Sequence, residues 1–113
     1  MVHARRAEPV ADLLRAIGQA ARLATLEALR GGESCVSDLG RATGQAQSNI
    51  SKHLAFLRRA GVLAASRRGL RVFYRVAAPE VFALLDAAQA CLSRGPGAGG
   101  SSFQPWTRGA ASR

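Results

Sequence analysis

The stretch Gln47-Ser48-Asn49-Ile50-Ser51-Lys52-His53-Leu54-Ala55-Phe56-Leu57-Arg58-Arg59-Ala60-Gly61-Val62-Leu63 decides how this chain folds. Ile50, Leu54 and Leu57 recur at i, i+4 and i+7, which places them on one face of a helix. Most positions between them are polar or charged, so Ser48 to Ala60 reads as an amphipathic helix that buries one side only, with Gly61 as its stop. Small polar side chains crowd the approach and the first turns: Gln45, Gln47, Ser48, Asn49 and Ser51, followed by Lys52.

Upstream, Val36 to Thr43 reads as a short helix closed by Gly44, a residue suited to the left-handed position just past a helix end. A short helix, a tight turn and a longer amphipathic helix make a helix-turn-helix. Further upstream, Ala20 to Arg30 places Leu23, Leu26 and Leu29 on one stripe and ends at Gly31-Gly32. Pro9 to Ile17 carries Val10, Leu13, Leu14 and Ile17 at helical spacing, with Pro9 suited to a first turn. Downstream, Val62 to Ser66 and Leu70 to Val76 flank Arg67-Arg68-Gly69. The second of these segments is rich in strand formers, and Gly69 supplies a tight turn, so the pair reads as a β-hairpin. Pro79 to Ser93 is a last helix with Val81, Leu84, Leu85, Ala88 and Leu92 on one face. The fold class expected is mainly α with a small β-hairpin wing (α+β): a winged helix-turn-helix over residues 9–93. Residues 1–8 read as a flexible basic arm, and the Gly/Ser-rich 94–113 as a disordered tail.

The chain has 113 residues, 48% of them apolar, which suits one compact domain with a single core. So small a domain gains by burying further surface against a copy of itself. Sixteen Lys+Arg against seven Asp+Glu give a net charge of +9. That balance fits a polyanionic partner, because each phosphate neutralised releases condensed counterions. Two cysteines make no disulfide framework, no secretory or lipidation signal is visible, and no apolar run approaches a membrane span. A cytoplasmic protein with reduced thiols and no membrane association is expected. An enzyme is not: there is no Gly-rich phosphate loop and no metalloprotease motif, and His3 and His53 are the only histidines.

The residues that point to a function cluster on the second helix of the helix-turn-helix and on the hairpin. Gln and Asn can pair bidentately with adenine, and Ser with several base edges or with phosphate. Gln45, Gln47, Ser48, Asn49, Ser51 and Lys52 are therefore candidate DNA contacts, with His53 as a phosphate or backbone hydrogen-bonder. At least one Ser or Asn is expected to cap the helix instead. Arg58 and Arg59 read equally as phosphate contacts or as solvation of the helix end. Arg67, Arg68 and Arg71 surround the hairpin tip, with Arg75 beyond them, and read as a wing that grips the DNA backbone or minor groove, one of the four being expected only to keep an exposed edge soluble. Single-stranded RNA is a poorer match, because six aromatic residues, two of them in the tail, build no stacking platform. The competing readings are a winged-helix protein-interaction module and a non-specific nucleic-acid binder without effector sensing.

At these residues the chain resembles the ArsR/SmtB-type family of winged-helix repressors. The likeness runs from Ile17-Gly18-Gln19-Ala20-Ala21-Arg22-Leu23 to the last helix. Its most specific part is the run from Gln47 to Leu63, in which His53-Leu54, Leu57 and Ala60-Gly61 resemble the family's recognition-helix pattern leading into the wing. The wing itself, Arg67-Arg68-Gly69 followed by Val72-Phe73-Tyr74-Arg75-Val76, also fits. The resemblance implies a homodimer joined through its first and last helices, here Pro9 to Ile17 and Pro79 to Ser93. It further implies double-stranded DNA with an imperfect palindrome as partner, autoregulatory repression, and release by an inducer. The family's metal sites are incomplete in this chain. A Cys-x-Cys pair entering the short helix becomes Cys35-Val36-Ser37, and the Asp-x-His that starts a site on the last helix becomes Asp86-Ala87-Ala88. Cys35 and Cys91 are the two thiols. Three readings stand: a dithiol switch responding to oxidants or reactive sulfur, ligands of a metal or metalloid ion, or inert side chains. No cofactor is required by any of them.

Overall fold

The computed structural model describes residues 2–94, with side chains from residue 7 onward. In chain order the elements are α1 (Val2–Ile17), α2 (Ala20–Ala28), β1 (Ser34–Cys35), α3 (Val36–Thr43), α4 (Gln47–Arg59), β2 (Leu63–Arg68), β3 (Arg71–Val76) and α5 (Glu80–Arg94). They fall into two units, residues 1–78 and residues 79–113. The expected tail lies outside the described residues apart from Arg94, which closes α5.

The helix expected to begin at Pro9 begins at Val2 and takes in the residues read as an arm. Residues 4–8 are Ala, Arg, Arg, Ala and Glu, all good helix formers. Pro9 lacks an N–H and so forgoes a single intrahelical bond; that break is not enough to stop the helix. The physical chemistry of α3 is as expected. Leu39 is its buried anchor, and the helix ends at Gly44, whose backbone is left-handed (φ 73°) and whose N–H donates to Gly40 O at 2.9 Å. A side chain there would be strained, which is why glycine makes this corner.

The β structure is a three-stranded antiparallel sheet in the order β1-β3-β2, where the sequence pattern led us to expect two strands. Ser34 pairs with Tyr74 and Cys35 with Phe73, so the segment entering α3 is stitched to the second wing strand. Two residues are too short a run to show any periodicity, so this strand leaves no trace in the sequence pattern. The hairpin register runs from Leu63↔Val76 to Arg68↔Arg71, leaving Gly69-Leu70 as a two-residue turn. Gly69 has φ 63° and Leu70 does not have positive φ, as in a type II′ turn, whose twist matches that of paired strands. Arginines 67 and 68 therefore end β2, where a place in the loop was expected.

The core of the first unit is built where the helix stripes converge. Leu26, Leu39, Ile50, Leu54, Leu57 and Val62 are almost fully buried, joined by Ala16, Ile17, Leu29, Cys35 and Leu63. Burying each of the three α4 residues contributes roughly 1.5–3 kcal/mol, so α4 is held by its apolar face. The second unit's helix α5 carries the apolar stripe read from the sequence, and its first turn is closed by Phe82 N–H donating to Pro79 O at 3.0 Å.

Candidate nucleic-acid interface

With Ile50, Leu54 and Leu57 turned inward, the opposite side of α4 is left to solvent. Gln47, Ser48, Asn49, Ser51 and Lys52 are all exposed, and His53 is half-buried. The expected cap is not there. Ala46 occupies the N-cap position, and no side chain bonds the first-turn N–H groups. Ser48, Asn49 and Ser51 lie inside the helix, so their polar atoms are not taken up by capping. The first turn has no acidic residue, whereas Arg58 and Arg59 sit in the last turn. The positive end of the helix dipole is thus left uncompensated on the side where the polar residues cluster, an arrangement that suits an anionic partner.

Gln45 departs from the rest of the expected set. Its Nε2 donates to Ala21 O at 3.1 Å and to Thr25 Oγ1 at 3.2 Å, both on α2. Thr25 is fully buried and its hydroxyl donates to Ala21 O at 2.9 Å. The turn residue expected to face a base therefore points into the fold and ties the start of α4 to α2. Among the described residues no hydrogen-bond partner reaches Gln45 Oε1, although this atom is buried. Nothing in the sequence pattern distinguishes Gln45 from Gln47; a buried threonine 20 positions upstream decides it.

On the wing, the register places Arg68, Arg71 and Arg75 on one face of the hairpin and Arg67 on the other. Arg68 is paired with Glu33 and lies over the Phe73 ring, 4.1 Å from its centroid. That pairing screens part of its charge. Arg67 and Arg71 are exposed on either side of the turn, and Leu70 at the apex is 98% exposed. The wing's cationic character therefore rests mainly on Arg67, Arg71 and Arg75.

Cys35 is a buried free thiol and Cys91 an exposed one. Cys35 Sγ lies 3.5 Å from Ser37 Oγ. That contact, and the backbone of Asp38, pull the Cys35 thiol below its ordinary pKa, against burial and the Asp38 charge, which push it up. The serine thus sits where a second thiolate would complete a soft-metal pair, and one sulfur with one hydroxyl is a weak chelate. Among the described residues no three His, Cys, Asp or Glu side chains come together in a way that could hold a metal ion. His53 is pushed below the usual imidazole value by burial first and by the charge of Arg22 second. Among the described residues no helix is long and apolar enough to cross a membrane.

Comparison with known proteins agrees with this geometry. Residues 20–65 match the family model described as bacterial regulatory protein, arsR family. An HTH-type transcriptional regulator of Mycobacterium tuberculosis is 38% identical over 85 residues, which span 74% of this chain and 75% of that protein. The homodimeric winged helix-turn-helix DNA-binding domain of a possible ArsR-family transcriptional regulator from Mycobacterium bovis superposes with a TM-score of 0.73 at 30% identity, over 81% of this chain and 85% of that one. The transcriptional repressor BigR from Xylella fastidiosa gives 0.72 at 29% identity, over 79% and 91%. The family match runs from α2 through the helix-turn-helix into the start of β2, and together with the curated relative it shows that the chain belongs to the arsR family of bacterial regulatory proteins.

Proposed function

We propose that this chain is a sequence-specific DNA-binding repressor that works as a homodimer in the cytoplasm and releases its operator when an inducer acts on it. The observation that carries the reading is the uncapped, exposed polar face of α4, with Gln47, Ser48, Asn49, Ser51 and Lys52 presented opposite a fully buried apolar face. A helix held in this way can enter a major groove and offer amide and hydroxyl groups to base edges. His53, Arg67, Arg68 and Arg71 supply backbone contacts beside it, and Gln45 sets the helix in place from within. The dimer joins through α1 and α5, so that two copies of α4 meet an imperfect palindrome about one helical turn apart. Val10 and Leu14 on α1 and Leu92 on α5 are large exposed apolar side chains, which favours those helices as the interface.

The inducer is one that acts on thiols: an oxidant, a reactive sulfur species or a metalloid. The support is a pair of free thiols, Cys35 where the chain enters α3, the first helix of the helix-turn-helix, and Cys91 exposed on α5.

The experiment is fluorescence anisotropy of the reduced protein titrated onto its own upstream DNA and onto a scrambled duplex of equal length. Tight, selective binding is expected, with Asn49→Ala or Ser51→Ala lowering selectivity by about 1–3 kcal/mol and Arg71→Ala weakening both duplexes together. Equal, salt-sensitive binding to both duplexes refutes operator reading and leaves a non-specific nucleic-acid binder. Absence of binding to either favours a protein-interaction module. Oxidant or metalloid is expected to release the wild type and not a Cys35→Ser, Cys91→Ser variant; equal release of both rules out the thiols.

A further inference from the structure

Between α2 and the outer side of α4 lies an open pocket of about 430 Å³ lined by Arg22, Lys52, His53, Ala55, Phe56 and Arg59. Three of these side chains are cationic, a fourth can become so, and none is a carboxylate. Lys52, Phe56 and Arg59 recur at i, i+4 and i+7 and so continue along α4 the outward face on which Ser48 lies. Arg22 approaches from α2, and its placement is not left to chance. Its Nε donates to Ala16 O, its Nη2 donates to Arg15 O at 3.2 Å, and its guanidinium carbon stands 4.3 Å from the centroid of the Phe56 ring. Two backbone carbonyls and an aromatic face thus hold one cation in a fixed orientation, with further N–H donors of the fork remaining.

Cations gathered without a neutralising carboxylate repel one another, and a bound anion relieves that repulsion. Within the pocket His53 is held below the usual imidazole value by burial first and by the Arg22 charge second. An immobilised guanidinium beside a lysine, a second arginine and an imidazole suits the geometry and charge of a phosphate group. The pocket shares Lys52 with the exposed face of α4, so a phosphate seated there lies next to whatever that face touches.

We propose that the pocket between α2 and α4 is a phosphate site that seats one backbone phosphodiester at the edge of the groove that α4 enters. It rests on the DNA-binding reading above and adds α2 to the DNA-contacting surface through Arg22. Its contribution is to affinity and register, since a phosphate contact carries no base information.

The test uses the full chain and the variant Arg59→Gln, an exposed position whose loss leaves the Arg22–Phe56 stack in place. Arg30→Gln removes the same unit of charge at the turn after α2, outside the pocket lining, and serves as the control. Binding to operator and to scrambled duplex is titrated across a range of salt concentrations. Arg59→Gln is expected to weaken both duplexes by the same factor, to keep the wild-type selectivity ratio, and to reduce the slope of log affinity against log salt by about 0.9. Between about 50 and 200 mM salt, the wild type then loses about 3.5-fold more affinity than the variant does, this being the fourfold salt change raised to that slope. Arg30→Gln is expected to keep the wild-type slope.

A wild-type slope in Arg59→Gln, or an equal change in Arg30→Gln, overturns the proposal. Inorganic phosphate titrated onto the protein without DNA tests the other source of the same chemistry. If it binds with Arg59-dependent shifts while the DNA slope is unchanged, the pocket takes a free anion and its assignment to the duplex is overturned. Failure of the wild type to prefer its operator is read before any variant is compared, so a failure of the DNA-reading proposal is distinct from a failure of the pocket.

Discussion

Thr25→Val tests the internal tie that sets the recognition helix. Valine has nearly the shape of threonine, so packing at this fully buried position is kept while the hydroxyl is lost. Two hydrogen bonds go with it: Thr25 Oγ1 to Ala21 O at 2.9 Å, and Gln45 Nε2 to Thr25 Oγ1 at 3.2 Å. Neither loss strands a partner entirely, because Gln45 Nε2 still reaches Ala21 O at 3.1 Å and serves both ends. The relevant cost is therefore the net value of a hydrogen bond, about 1 kcal/mol each, and not the larger penalty of an orphaned polar group. About 2 kcal/mol in total is expected. For a domain of this size that lowers the thermal midpoint by about 10 °C, at roughly 4–8 °C per kcal/mol. Urea unfolding at fixed protein concentration checks it, since a dimer's apparent stability depends on concentration. The midpoint should move with the slope m unchanged. Gln45→Ala loses its own two bonds but also removes the buried Oε1, which has no partner among the described residues, so its two effects oppose. The double variant isolates the pair, and a coupling of about 0.5–1.5 kcal/mol is expected. Thr25→Val within about 0.3 kcal/mol of wild type, the error with which independent sites add, would sink the argument. So would a Gln45→Ala variant of unchanged stability that loses base selectivity, which would return Gln45 to the reading surface.

Three further outcomes follow from local geometry. His53 binds its proton less readily folded than unfolded, so the unfolded chain takes up more protons as pH falls below about 6.5, and the His53 contribution to stability is lost from there down to the lower folded value. Unfolding midpoints measured from about pH 7.5 down to about pH 5.5 should show this loss, and His53→Gln should flatten it. Gly69→Ala places a Cβ in open space but at φ 63°, so about 1–2 kcal/mol is lost from backbone strain alone, measurable by chemical denaturation. Ser37→Ala removes the leading cause that lowers the Cys35 thiol. In a Cys91→Ser background the pH midpoint of alkylation should move upward, and an unmoved midpoint refutes the role given to Ser37.

What the sequence determined by itself is the set of apolar stripes and the punctuation between them. Ile50, Leu54 and Leu57 at helical spacing, Gly44 between two helices, and Gly69 between two strand-forming runs dictate a winged helix-turn-helix, because periodicity and glycine placement are local properties. The polar face of α4 was legible for the same reason, since it is the complement of the buried stripe. Tertiary structure alone decided which polar residues are available. Thr25 turns Gln45 inward from 20 positions away, Glu33 engages Arg68 across 35, and Arg22 meets Phe56 across a helix pair. It also decided that no serine or asparagine caps α4, that Ser34-Cys35 pairs with β3, and that α1 runs through Pro9 to Val2. Each of these depends on which side chains the packed core brings within a few ångströms, and a hydrogen bond or an ion pair leaves no period along the chain by which to read it.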